Sequence, residues 1–406
     1  MFTTTSVYFV LLFLILWCYC GYLIFLLILA KLQPGQKKEQ ILPNHLPKIS
    51  VFVPCFNEQN LIQKKIDNLN SLKYEESRLN VYFLHGESTD KTGDIIGGAI
   101  SETQNFHLIE TRCTGKINQL NYGLLHCQGE AEIIVCTDVD AILSEDVLTL
   151  FCLAFQNDKK VGVVGANISP LAGMQMEDYF WRDQNIIRTL ESKVYTASIV
   201  VAPCYAFRPY LLEQFPKDCV ADDIYISFKA NTENYLTKYI TEAQGQETRT
   251  PNDLGEFFVH KFRKGNAYLI ELFRFFYLLP HMTGWWKIIY LTKFFQLAIM
   301  PWAVPFFLLS TISLALSGLS LFQISFFGLL ALLGGFMATF HLLKRERRKY
   351  YTDGESFQLP NLNLFILSNI ILIVVGISYP FYKQNSSYNK IGSDNCYPAS
   401  MFSSFI

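Results

Sequence analysis

Residues 132 to 140 read EIIVCTDVD. A short apolar, β-branched run that stops at polar residues predicts a buried strand. In sheets built of alternating strands and helices, ligands collect beyond the carboxyl ends of the strands. Alternate residues of an extended chain share a side, so Asp138 and Asp140 are expected to project together at that end. Two carboxylates so placed repel each other unless a cation offsets them. A hard divalent ion that also bridges to phosphates does this, and Mg²⁺ commonly takes only one or two protein carboxylates. An Asp-x-Asp triplet is a weak signal alone; its position directly after a buried strand gives it weight.

Working outward, similar runs occur at 49–53 (ISVFV), 79–84 (LNVYFL), 105–109 (NFHLI) and 161–165 (VGVVG), with stretches suited to helices between them. The alternation predicts an α/β fold with a mostly parallel sheet and flanking helices. After the first strand, Asn57 is placed to cap the following helix. After the second, capping also accounts for Ser88, Thr89 and Asp90. Ala221-Asp222-Asp223 opens another helical stretch, where acids suit the helix dipole or serve as a general base. Gly115-Lys116 is not a nucleotide-binding P-loop, because Glu110 stands where its first glycine belongs.

The ends of the chain are different. Charged residues make up 17% and hydrophobic residues 50% of the 406, against about 25% charged in soluble domains. Residues 7–30 carry no charge and are long enough to span a bilayer; 294–317, 320–343 and 362–382 follow as further candidate spans. A basic run, KRERRK (344–349), lies between the last two and reads as a solvated loop or a lipid headgroup contact. Basic residues favour the cytoplasmic side, so the middle segment and this loop are expected to be cytoplasmic, in a plasma or inner membrane. The net charge of −1 leaves no basic field for nucleic acid. Ten cysteines without metal-site spacing read as reduced thiols. His260 to Gly265 (HKFRKG) precedes an aromatic amphipathic stretch over 266–288, expected to lie on the membrane surface with Trp285 and Trp286.

Taken in order, ISVFVPCFNE (49–58), STDKT (88–92), GKINQLNYGL (115–124), GEAEIIVCTDVDA (129–141), CYAFRPYLL (204–212), ADDIYISFK (221–229) and HKFRKG (260–265) resemble the family 2 glycosyltransferases of the membrane-bound synthase type. These are the makers of cellulose, chitin, hyaluronan and poly-N-acetylglucosamine. The resemblance implies a GT-A-like fold inserted between membrane helices, one before and about three after. It implies an inverting transferase that moves a sugar from a nucleotide-sugar donor, UDP-linked by expectation, to a lipid-linked or saccharide acceptor. Asp140 with Asp138 matches the family's metal site for Mg²⁺ or Mn²⁺, and Asp223 matches its general base. Pro54, Asn57, Glu58, Glu87, Lys116 and Asp138 match the donor side. Lys261 and Arg263 are expected to stabilise the diphosphate. Membrane lipids and a polysaccharide-export assembly are the implied partners.

Two departures stand out. The family's second strand ends in an acid that contacts uracil, where this chain has Gly86, with Glu87 one place later. The Gln-x-x-Arg-Trp signature of polymerising synthases is replaced by His260 to Lys264. The expected layout is an anchor (1–31), a transferase domain (32–265), a surface helix (266–288), three spans (289–384) and a tail (385–406). A non-catalytic subunit that keeps the fold is the alternative.

Overall fold

The computed structural model describes residues 2–33, 46–101, 103–127, 129, 131–350 and 362–382. The expected tail (385–406) lies outside them. The chain divides into two compact units. One holds the described residues of 37–181 and 199–260; the other holds those of 1–36, 182–198 and 261–383.

The first unit is built on eight strands: β1 (Ile49–Cys55), β2 (Leu79–His85), β3 (Phe106–Glu110), β4 (Ile133–Thr137), β5 (Ala141–Leu143), β6 (Val161–Pro170), β7 (Cys204–Phe207) and β8 (Leu236–Glu247). They form one sheet in the order β3-β2-β1-β4-β7-β6-β8-β5. The expected parallel core is present: β1 pairs in parallel with β2 and β4, and β2 with β3. The sheet as a whole is mixed, because β7 runs antiparallel to β4 and β6, and β5 antiparallel to β8. β1, β2 and β4 are mostly apolar and buried, with Ser50, Asn80, His85 and Thr137 as the polar exceptions, as suits strands covered on both faces. Phe52, Leu84, Ile134 and Phe207 pack with Leu120 and Leu124 of the helix Lys116–His126 and with Ile226 of the helix Asp222–Thr232. Burial of each such side chain contributes about 1.5–3 kcal/mol.

In the second unit, three helices among the described residues are long and apolar enough to cross a membrane: Thr4–Leu32, Gly284–Leu316 and Ser320–Lys349. A fourth apolar helix covers Leu362–Ser378. Tyr8, Leu12 and Ile15 of the first helix pack with Ala303, Phe307 and Leu314 of the second. Large apolar side chains such as Phe13, Leu309 and Phe327 stay exposed.

Two readings of this part need correction. KRERRK is not a loop, since it forms the last turns of the helix Leu319–Tyr350. Nor is Arg347 a free headgroup contact, because its guanidinium makes a two-pronged pair with Asp183, Nε and Nη2 each donating to one carboxylate oxygen at 2.8 Å. The stretch read as one surface helix over 266–288 is in two pieces. A helix runs from Leu254 to Phe276 and already contains His260 to Gly265; another begins at Gly284. Lys293 pairs at 3.0 Å with buried Glu191, which also accepts from Tyr22 at 2.7 Å, so a charge within an apolar helix has its partner.

Candidate functional site

The carboxyl ends of β1, β2 and β4 gather the expected residues of the sheet unit. Asp138 and Asp140 do not continue the strand. They occupy a turn after β4, in which Ala141 N–H donates to the Asp138 carbonyl at 3.3 Å. The turn sends Val139 inward, where it is buried, and lets the two carboxylates meet different cations. The expectation of a shared extended face is thereby replaced by a divided one.

On one side, Lys116 opens the helix Lys116–His126 after Gly115, whose φ of +91° suits glycine. The Lys116 ammonium stands 2.8 Å from Asp138 Oδ1 and 3.1 Å from Asp222 Oδ2. Tyr205 on β7 donates to the same Asp222 oxygen at 2.6 Å. Asp223, one residue on, is partly buried at the start of the helix Asp222–Thr232. Burial and the neighbouring Asp222 raise its carboxyl to about 7, against the opposing pull of Lys116.

On the other side, Arg249 follows β8 and reaches Glu58 Oε2 at 2.6 Å and Asp140 Oδ2 at 3.3 Å. Thr248 fixes the turn by donating from its N–H to the Asp140 carbonyl at 2.8 Å. Burial raises the Asp140 carboxyl to about 7, with Asp138, Glu247 and Glu58 adding to the rise and Arg249 opposing it.

Beneath the turn lies Lys65, with no exposed surface. Its ammonium donates to Thr137 Oγ1 at 2.8 Å and to the Ala141 carbonyl at 2.7 Å. Burial lowers it to about 8 although Cys204, Asp138 and Asp140 favour its charge. Thus the acids Glu58, Asp138, Asp140, Asp222 and Asp223 lie around the cations Lys65, Lys116 and Arg249. A site this rich in carboxylate oxygens suits a hard divalent cation, which Asp138 and Asp140 could hold. No group of three or more acids, histidines or cysteines converges for a metal among the described residues.

The other expected residues take quieter places. Asn57 does not cap a helix: the helix Ile62–Asn70 starts five residues later without a side-chain cap. With φ at +50°, Asn57 turns to accept from the Thr89 N–H at 2.9 Å, while Ser88 Oγ accepts from the Asn57 N–H at 3.0 Å. None of the three proposed caps Ser88, Thr89 and Asp90 sits at the N-cap of the helix Thr92–Ile100, which is Lys91; Asp90, one residue earlier, accepts from the Thr92 N–H at 3.0 Å. Pro54 lies within β1, and Glu87 is exposed. A Cβ at Gly86 would stand 2.8 Å from Gln119 Nε2, which donates to the carbonyls of Cys55 and Leu84 at 2.8 and 3.0 Å. Gln119 therefore fills the room that an acid at this position would need. Lys261 and Arg263 belong to the other unit.

Lys65, Tyr205, Glu247 and Arg249 are absent from the residues expected for the site, and Asp222 is expected there only as the neighbour of Asp223. Lys65 had a readable signal: Ile62, Lys65, Ile66 and Leu69 follow the spacing of a buried helical stripe, and a lysine on it needs an internal partner. Arg249 belongs to no motif.

A model of glycosyl transferase family 2 matches residues 50–215, and a model of glycosyl transferase family group 2 matches residues 133–342. Poly-beta-1,6-N-acetyl-D-glucosamine synthase of Staphylococcus aureus is 28% identical over 212 residues, 50% of this chain and 50% of that protein. The chain thus spans about half the length of the curated relatives it matches. A solved mannosyltransferase of Pyrobaculum calidifontis, in complex with GDP-Man and Mn²⁺, aligns with a TM-score of 0.64 at 22% identity. The alignment covers 94% of this chain and 98% of that one and shows a shared fold.

Proposed function

The chain belongs to the family 2 glycosyltransferases, and from that premise we propose an integral-membrane inverting transferase that uses a UDP-sugar and a lipid-linked or saccharide acceptor at the cytoplasmic face. Asp223 carries the reading. Its carboxyl, raised to about 7, is poised to accept a proton at neutral pH beside the Lys116 and Asp138 pair.

In the proposed step, Asp223 takes the proton of an acceptor hydroxyl while that oxygen bonds to the anomeric carbon. The bond from that carbon to the diphosphate breaks, and the electron pair leaves with the nucleoside diphosphate. One displacement inverts the anomeric centre. Charge builds on the leaving phosphate, where fixed cations lower the barrier. Lys116 serves the donor side, and Lys261 and Arg263 are assigned to the diphosphate. Mg²⁺ or Mn²⁺ held by Asp138 and Asp140 would neutralise phosphate charge when bound. Three apolar helices support a multi-pass membrane setting. The relative's printed name, a poly-N-acetylglucosamine synthase, makes UDP-N-acetylglucosamine the first donor to try and an export assembly a candidate partner.

The test is protection against heat by a panel of UDP- and GDP-sugars with Mn²⁺, because a ligand bound only by the native state raises Tm. A UDP-sugar should raise the Tm of the native protein and not of Asp138→Asn. No shift with any nucleotide sugar would favour a non-catalytic subunit.

A further inference from the structure

The feature that the transfer reaction leaves unexplained is a guanidinium on the acid assigned to the metal. Arg249 divides itself between Glu58 Oε2 at 2.6 Å and Asp140 Oδ2 at 3.3 Å. The two contacts are unequal: the short one anchors, and the long one touches the carboxylate that the cation needs. Glu58 is itself fixed, since it is buried and its N–H donates to Thr92 Oγ1 at 2.7 Å. The Asp140 backbone is fixed as well, by Thr248. What remains adjustable is the guanidinium, at the end of a side chain that begins one residue beyond Thr248.

We propose that Arg249 is a resident cation of this site: it neutralises Asp140 while no divalent ion is present and gives up that carboxylate, keeping Glu58, when one binds. The inference rests on the reading of Asp140 and Asp138 as metal ligands. Its physical basis is competition for one carboxylate. A guanidinium and a divalent cation cannot both face the same oxygen without repelling each other, and the ion's higher charge wins once donor phosphates add ligands. Metal affinity in the absence of nucleotide is therefore held down by Arg249, which ties metal capture to arrival of the donor.

Mn²⁺ binding to the full-length protein without nucleotide tests this, read from the loss of the free-ion paramagnetic resonance signal on titration. Arg249→Gln removes the competitor and should bind Mn²⁺ about tenfold more tightly than the native protein, equivalent to about 1.4 kcal/mol. Arg249→Lys retains the charge for folding, but its single ammonium cannot span both carboxylates, so it should fall between the two, about threefold tighter than native. Either folded variant binding Mn²⁺ no more tightly than the native protein would overturn the proposal while leaving the metal site itself standing. If the native protein and both variants fail to bind Mn²⁺ at all, the metal reading falls and this inference with it.

Discussion

Tyr205 donates to Asp222 Oδ2 at 2.6 Å, so the first acid of the Asp222-Asp223 pair is held by a buried phenol as well as by Lys116. Burial and the adjacent Asp222 raise the Asp223 carboxyl to about 7. A base works only when deprotonated. Turnover at saturating donor should therefore increase with pH through about 7 and then level off. Asp222→Asn removes a negative neighbour that raises Asp223, so the rise should move to lower pH. A pH–rate profile of the two proteins checks both points, and an unmoved profile would separate the titration from Asp223.

Asp140 and Asp223 both bind protons more tightly in the folded chain than their ordinary value of 3.8. Between 3.8 and about 7 the native state thus holds more protons than the unfolded state, so these two groups make stability fall as pH rises across that window. The full-length protein in detergent should melt at lower temperature at pH 8 than at pH 5.5. In the double variant Asp140→Asn/Asp223→Asn, the same scan should show a smaller drop.

Lys65→Met removes the donor to Thr137 Oγ1 and the Ala141 carbonyl from a fully buried position. Leaving buried acceptors without a donor costs about 1–3 kcal/mol. For a unit of about 150–250 residues, the size of the sheet unit that holds Lys65, that corresponds to a fall in Tm of roughly 2–4 °C per kcal/mol. A larger loss of Mn²⁺ binding than of thermal stability is expected too, because the turn carrying Asp138 and Asp140 rests on Lys65.

Gly86→Asp restores the acid of the family pattern and should nevertheless damage the protein. Its Cβ would come within 2.8 Å of Gln119 Nε2 and 3.2 Å of the Cys113 carbonyl. Overpacking of this kind costs about 1–3 kcal/mol. Adding Gln119→Ala should recover part of the loss in a melting experiment. If Gly86→Asp melts like the native protein, Gln119 does not close this space.

The parallel half of the fold is legible in the sequence because β1, β2, β3 and β4 are apolar runs with a clear beginning and end. β8 is not. The inward-facing residues of its last half are Ala243, Gly245 and Glu247, so no apolar period marks it. β5 has three residues, too few for any pattern. In the site, Asp138, Asp140, Lys116 and Asp223 are readable because each falls at a strand or helix end within a recognisable motif. Arg249 is not, since its partner Glu58 lies 191 residues away and only folding brings the two together. Asn57 reads as a local cap because a helix follows in the sequence; its partners, Ser88 and Thr89, come instead from the loop after β2.

The central claim, that this chain transfers sugar with Asp223 as base, is tested most directly by release of UDP from UDP-N-acetylglucosamine and other UDP-sugars. The assay uses purified full-length protein with Mn²⁺ and an acceptor extract. The native protein should release UDP, and Asp223→Asn should release it about 10² to 10⁴ times more slowly while still being stabilised by donor against heat. Equal rates from the two proteins would contradict the account.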